Sequence, residues 1–295
     1  MSAIQPGILE APAPVGRYLT FVLKPGAEAD LKEAMGKLAT LTDGQRTVVG
    51  IGLSLALRLG AQIPGLRSMP AYVGPGFDVP STPAALLCWL RGEERGVLLQ
   101  RSRRIEATLA PAFRLVQVQD GFKHGSGRDL TGYEDGTENP PPEEAPGIVG
   151  VTGQGEGMEG SSFLVLQQWE HDFGTFESTP HATQDDIIGR RRSDNEELED
   201  APASAHVKRT AQESFTPEAF MLRRSLPWTE GNRGGLMFVC FCNTFYAFEA
   251  QMKRMTGGED GIADALFSFS RVLTGAYFWC PGVKDGRLNL SLLGL

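Results

Sequence analysis

The sequence predicts an α+β protein of two lobes. Three observations carry that reading. The first half runs strand, helix, strand, strand, helix, strand, the order of a ferredoxin-like unit. A stretch rich in Gly, Pro and acidic residues, 121–160, then interrupts the chain and includes the triplet Pro140-Pro141-Pro142. After it the second half starts again on an apolar strand. A length of 295 residues fits this division, at roughly 100–200 residues per domain. The boundary is placed so that 1–145 forms the N-terminal domain and 146–295 the C-terminal one.

Each element has its own signal. Tyr18 to Leu23 is an apolar strand, and Leu31, Met35, Leu38 and Leu41 recur at helical spacing after it. Thr47 to Leu53 is β-rich, and Leu86 to Leu90 is a short apolar segment. Leu98, Ile105 and Leu109 share a helix face that stops near Pro111, and Phe113 to Val118 reads as the next strand. In the second half Ser162 to Trp169 is a strand, and 173–211 reads as helices and polar loops. The acidic stretch Glu196 to Asp200 reads as solvated surface. Strands are expected at Phe220 to Arg223 and Leu236 to Cys242. A helix then carries Phe245, Phe248, Met252 and Met255 on one face, read as core rather than as a cofactor wall. Glu249 and Lys253 stand at a favourable i,i+4 spacing on another face. A last helix is expected near Asp264 to Leu273, leading into a strand at Ala276 to Cys280. The halves share a coarse element order without a short sequence repeat.

Composition narrows the function. Hydrophobic residues are 41% and charged residues 22%, which suits a packed core. Lys plus Arg is 28 against 36 for Asp plus Glu, a net charge of −8, the wrong sign for phosphate neutralisation, so nucleic-acid binding is disfavoured. The four cysteines form no CxxC pair and no CxxCH, which excludes a zinc ribbon, a thioredoxin-type site and covalent c-type haem. Cys240 and Cys242 share a strand face and read as buried thiols, ordinary for a reducing compartment. The start of the chain lacks a secretory pattern and a twin-Arg, and the longest apolar runs fall short of the ~20 residues of a membrane span. A cytoplasmic protein with no membrane association is expected.

The segment 128–140, RDLTGYEDGTENP, is the most informative. Gly132 and Gly136 bracket Asp135, and glycines let backbone take left-handed angles and approach a flat ligand closely. Asp-Gly is also a common turn dipeptide, so a plain turn stays open on this signal alone. The segment 132–140, GYEDGTENP, resembles the GxxDG signature of the dye-decolorizing peroxidase family. Further resemblances follow in the family's order: Trp89-Leu90-Arg91-Gly92, then Phe163 to Asp172, then Ile188-Gly189-Arg190 before an acidic loop. Ser204-Ala205-His206, Arg223-Arg224-Ser225-Leu226-Pro227 and Thr274-Gly275-Ala276-Tyr277-Phe278 complete the series. The likeness covers nearly the whole chain and is closest to the compact bacterial subgroup called B-type.

The resemblance implies two ferredoxin-like domains with antiparallel sheets, haem b held non-covalently and mainly by the C-terminal domain, and reduction of hydrogen peroxide with oxidation of aromatic or dye-like donors. It implies His206 as proximal ligand of the haem iron, with Asp264 as the carboxylate on its other ring nitrogen. Asp135 is implied as the distal acid–base and Arg223 as the stabiliser of developing negative charge. Ser225, where many members carry Asn, is counted with them as a hydroxyl for water or peroxide. Arg190 is implied as a propionate partner; the adjacent Arg191 and Arg192 leave that register open. Gly136 and Thr137 are placed against the cofactor with Arg223. His171 reads as a structural strand-end residue, and His124 and His181 as loop residues. The family favours acidic pH for dyes, where an aspartate, with a lower reference pKa than histidine, remains a proton acceptor. Trp89, Trp169, Trp228, Trp279 and Tyr133 are possible electron relays, each also at home in ordinary packing. A homo-oligomer is expected. Encapsulation is not, since 287–295 reads as the end of the catalytic domain. The rival readings are a haem carrier, which needs neither Asp135 nor Arg223, and a haem-free module.

Overall fold

A computed structural model describes residues 2–295. A helical turn, α1 (Pro6–Leu9), precedes β1 (Val15–Leu23), α2 (Glu28–Leu41), β2 (Thr47–Ile51) and α3 (Leu53–Arg58). A small hairpin, β3 (Tyr72–Gly74) and β4 (Phe77–Val79), leads to β5 (Leu86–Gly92), α4 (Arg95–Leu109) and β6 (Phe113–Phe122). The long strands lie side by side as β6-β1-β5-β2, with every neighbour antiparallel. That is the strand order of a ferredoxin-like unit.

The second half opens with α5 (Ala145–Val149) and the fully buried β7 (Ser162–His171). Three short helices follow: α6 (Phe173–Ser178), α7 (His181–Ile188) and α8 (His206–Arg209). Then come β8 (Leu222–Arg223), β9 (Leu226–Glu230), β10 (Arg233–Cys242), α9 (Tyr246–Met255) and β11 (Ser270–Cys280). A terminal hairpin is formed by β12 (Val283–Lys284) and β13 (Arg287–Leu288). The order is β11-β7-β10, with β8 and β9 both antiparallel to β10, so the ferredoxin-like arrangement recurs.

The halves meet at a seam. Trp279 of β11 pairs with Ile51 of β2, which joins the strands into one nine-stranded sheet. Gln5 stitches the same place. Its Nε2 donates to the carbonyls of Val49 (2.9 Å) and Pro281 (3.0 Å), and its Oε1 accepts from the Val49 N–H at 2.9 Å.

Side chains alternate across the sheet with the period of two that strand geometry imposes. On one face Leu19, Cys88, Val165, Cys240 and Trp279 pack beneath the helices. On the other Tyr18, Trp89, Leu164, Phe241 and Phe278 form a second core shared by both halves. Trp89 stacks on Tyr18 at 6.1 Å and on Phe241 at 6.0 Å, so the two units bury their inner faces against one another. Cys240 and Cys242 share a face, and all four cysteines are free and buried.

Several expectations need correction. The helix expected over Asp264 to Leu273 is only a 3-10 turn, Ala265–Ser268. Asp264 caps that turn, and from Ser270 onward pairing with β7 overrides the local helical pattern. The second strand stops at Ile51 rather than Leu53. A side chain at Gly52 would run into the Ala84 carbonyl, and Leu53 already begins α3. The strand expected from Phe220 shrinks to Leu222–Arg223, whereas β6 continues past Val118 to Phe122. Leu41 is exposed. Glu249 does not pair with Lys253; it binds Arg67 at 2.7 Å and accepts the Tyr277 hydroxyl at 3.2 Å. No sequence signal had marked α3, β9 or the β3–β4 hairpin.

Candidate active site

A cavity opens beneath β7 and β10. Trp169, Leu236, Phe238, Phe248, Met252, Met255 and Phe269 give it apolar walls. The α9 stripe is therefore both core and cavity wall, not core alone. Polar groups enter from four places: the 129–135 loop, His171 at the end of β7, His206 on α8 and Arg223 on β8. An apolar chamber with a few convergent polar side chains is the usual form of a small-molecule site. Gln167, also in the wall, keeps its Nε2 without a partner while its Oε1 accepts from Trp169 Nε1.

His206 is the first residue of α8. Its Nδ1 shares a 2.8 Å hydrogen bond with Asp264 Oδ2, and the Asp264 side chain is wholly buried. Asp264 is fixed by its own cap, because its Oδ1 accepts the Leu266 N–H at 2.8 Å. Its backbone N–H donates to the Met255 carbonyl, and the Ala265 N–H to Ser204, which ties this turn to α9 and to the segment before His206. The ring is thus oriented through Nδ1, which leaves Nε2 to the cavity.

Asp135 and Arg223 line the same cavity, and neither side chain makes a hydrogen bond to another side chain among the described residues. Desolvation pushes the Asp135 carboxyl above the ordinary carboxylate range; Arg223 works against that shift and Asp129 adds to it. Asn139 holds the backbone of Arg223 at both ends. Its Oδ1 accepts the Arg223 N–H at 2.7 Å, and its Nδ2 donates to the Arg223 carbonyl at 3.2 Å. The loop can fold back this way because Gly136 sits at φ +77°; a Cβ there would lie 2.7 Å from Asn139 Nδ2. Arg224 points elsewhere and binds the carbonyls of Ile8 (3.1 Å) and Leu9 (2.8 Å).

The remaining candidates occupy flanking clefts. Gly136, Thr137 and Arg190 line a neighbouring cleft that also reaches Asp135, His206 and Arg223. Arg190 pairs there with Glu138 and donates to the Asn195 carbonyl at 2.9 Å, and Thr137 accepts from Asn195 Nδ2. Arg191 turns outward to Asp194, and Arg192 lies over the Tyr133 ring. Ser225 is absent from the main cavity. It borders a third cleft with Asp135, Asn139 and Arg223, and its Oγ accepts the Val239 N–H at 3.3 Å.

Sequence reasoning gave Asn139 no role and missed the Asp129–His171 pair. Asp129 Oδ1 lies 3.1 Å from His171 Nε2, and His171 Nδ1 lies 2.7 Å from Ser270 Oγ. Asp129 Oδ2 accepts both the N–H and the hydroxyl of Thr131. The pair pins the 129–135 loop to β7. Burial alone would raise the Asp129 carboxyl, but His171 and the Thr131 hydrogen bonds outweigh it and hold the group at about 2. A depressed carboxylate contributes stability above its unfolded pKa and loses it as pH falls through the folded one. Asp129→Asn should therefore cost about 2 kcal/mol near pH 6, and the difference should close toward pH 2. Urea unfolding of both proteins across that range measures it; a deficit that does not vary with pH would count against the pair.

Comparison with known proteins places the chain. A solved structure of a putative Dyp-type peroxidase from Shewanella oneidensis superposes with a TM-score of 0.88 at 28% identity, over 99% of this chain and 98% of that one. A DypB variant from Rhodococcus jostii, in complex with heme, matches at TM-score 0.83 and 23% identity over 94% and 96% of the two chains, a likeness of fold. The dye-decolorizing peroxidase of Mycobacterium tuberculosis is 28% identical over 95% of this chain and 89% of its own. The protein is an oxidoreductase of the peroxidase class. The family model described as Dyp-type peroxidase, C-terminal, matches residues 126–285, more than half of the chain, and the chain belongs to that family.

Proposed function

We propose that the cavity holds haem b non-covalently, with His206 as the ligand of its iron, and that the protein reduces hydrogen peroxide at the expense of aromatic or dye-like donors. The observation that carries this is the His206–Asp264 pair, set in an apolar cavity that Asp135 and Arg223 also line. The chamber fits such a guest: its walls are apolar, His206 Nε2 is free to ligate, and Gln167 Nε2 lacks a partner. The heme named for the Rhodococcus jostii neighbour agrees with this. Haem, when bound, supplies the iron that meets peroxide and stores the oxidising equivalents.

The chain's own residues then have distinct tasks. Asp264 accepts the Nδ1 proton of His206 and strengthens the imidazole as a donor at Nε2. Asp135 takes a proton from peroxide and returns it to the departing oxygen. Arg223, a permanent cation held by Asn139, stabilises the negative charge that grows on that oxygen. Arg190, Gly136 and Thr137 meet the cofactor's polar edge; of the three successive arginines, Arg190 lines the cleft that His206 also borders. Ser225 meets water or peroxide arriving through the third cleft. Because Asp135 must be ionised to accept a proton, its raised pKa moves the acid limb of the reaction upward, which narrows the acidic range open to it. A cytoplasmic site of action is in keeping with four free buried cysteines and with the absence, among the described residues, of a helix able to cross a membrane.

The test is a spectral titration of the cofactor-free protein with haem, followed by peroxide-dependent oxidation of an anthraquinone dye. Stoichiometric binding with turnover is expected. Binding without turnover would favour a carrier, and no binding would remove the reading altogether.

A further inference from the structure

His206 stands on a helix too short to hold itself. α8 has four residues, and a single turn is unstable alone because nucleation costs more than its few hydrogen bonds return. Its pose must come from tethers. One is the bond from His206 to Asp264. The other is Arg209, the last residue of α8, which is 4% exposed. At i,i+3 from His206 it lies on the same side of the helix. Its Nη1 donates to Asp260 Oδ2 and its Nη2 to Asp260 Oδ1, both at 2.7 Å. Nη2 also donates to the carbonyl of Arg254, in the last turn of α9, at 2.7 Å. Asp260 is fixed in turn, since its Oδ1 accepts the Ile262 N–H at 3.0 Å. It stands in the turn 256–263, which the Thr256–Ala263 pairing closes, and Asp264 follows directly. Thus α8 is held to one turn at two points. Lys208, the adjoining cation, points instead to Glu197 on the exposed side.

We propose that Arg209 is a positioning residue for the iron ligand: its forked grip on Asp260 sets where α8 lies against the turn, and so the length and angle of the His206–Asp264 hydrogen bond. The proposal rests on the haem-site reading above. Arg209 lies outside the linings of the cavity and of the neighbouring cleft, so it acts through His206 rather than on a guest. Asp264 cannot follow a shift of the helix, because one of its oxygens caps Leu266 and its N–H is held by the Met255 carbonyl. A displaced α8 therefore stretches the bond at Nδ1. That bond fixes the ring orientation and its strength as a donor at Nε2. Two parallel bonds from a planar guanidinium fix direction as well as distance. A lysine offers a point charge and would restore only part of the grip.

The experiment compares Arg209→Met, Arg209→Lys and Asp260→Asn with the unmodified protein, first free of haem and then loaded. In haem-free protein carrying nitrogen-15 histidine, the ring nitrogen shifts of His206, assigned by their loss in His206→Ala, report the bond at Nδ1. Arg209→Met and Asp260→Asn should move them toward the values of an imidazole exchanging freely between tautomers. In loaded protein the ferrous iron–histidine stretch, read by resonance Raman, should fall in frequency in both, with Arg209→Lys between them and the unmodified protein. Haem release to apomyoglobin should quicken about 10-fold, the low end of what loss of a partner behind a metal ligand costs. Two controls share the neighbourhood. Lys208→Met removes the other cation of α8, and Glu259→Gln breaks the pair with Arg254 in the same turn. Both should leave ring shifts and stretch in place even where the melting temperature drops. Unmoved ring shifts or an unmoved stretch in Arg209→Met and Asp260→Asn would overturn the proposal. So would an equal change in Glu259→Gln, which would mean a general loosening of the turn. If Arg209→Met fails to fold, Asp260→Asn and Arg209→Lys carry the same test. A missing Soret band in the unmodified protein, or an iron–ligand stretch that ignores nitrogen-15 histidine, would instead overturn the haem-site reading, and this proposal with it.

Discussion

His206→Ala is expected to lose most of its haem. Among the described residues that line the cavity, His206 is the one imidazole that meets a buried carboxylate through Nδ1 and leaves Nε2 free. The variant leaves the enclosed Asp264 with one oxygen still capping Leu266 and the other without its partner. Breaking a buried ionic or strongly polar pair from one side costs about 3–5 kcal/mol. Loss of cofactor should therefore come with a lower melting temperature. Asp264→Asn should act more mildly, weakening binding about 10–100-fold as loss of an outer partner does at other metal centres. Haem titration followed at the Soret band separates the two. If His206→Ala keeps its haem with an unchanged spectrum, His206 is not the ligand.

Asp135→Asn and Arg223→Leu are expected to keep haem but to react slowly with peroxide. Loss of a general acid–base costs about 10²–10⁴-fold, and loss of a preorganised charge donor about 10²–10³-fold. Stopped-flow mixing with peroxide measures both. The pH profile distinguishes their roles. The unmodified protein should lose rate as pH falls through the raised pKa of Asp135, where the carboxylate takes up a proton and can no longer accept one. Asp135→Asn should lack that acid limb, while Arg223→Leu should retain it at a lower ceiling and at higher pH, because the substitution removes the positive charge that lowers the carboxyl pKa but not the carboxylate itself. Full rates in both variants would dismiss this distal pair.

Without the guanidinium the Asp135 carboxyl titrates at higher pH. The measured limb in Arg223→Leu should accordingly lie above that of the unmodified protein, with the lower ceiling reporting the separate loss of charge stabilisation.

Much of this was legible in sequence where a local pattern had a local cause. β1, β5, β7 and β10 are buried along most of their length, so their positions could be read as short apolar runs. Gly132 and Gly136, at φ +90° and +77°, have the conformations their residue type permits. What could not be read locally depended on partners far along the chain. Asn139 meets Arg223 across 84 residues, and Asp129 meets His171 across 42. The association of His206 with Asp264, 58 residues apart, came from family resemblance rather than from spacing. The misread helix near Asp264 shows the same limit. A capped turn begins there, but pairing of Ser270 with His171 and Trp279 with Phe163 commits the following residues to β11.

Because Gln5 bonds Val49 and Pro281 at once, the order of synthesis matters to this molecule. A ribosome delivers Val49 early and Pro281 near the end of the described chain. Until β11 arrives, the nascent protein holds a half-satisfied Gln5 and an unpaired edge on β2. Contacts of such long range form late in folding, and an open strand edge is a point of self-association. Closure of the seam and completion of the cavity both await the last third of the described chain, so cofactor capture is expected to follow synthesis of β11.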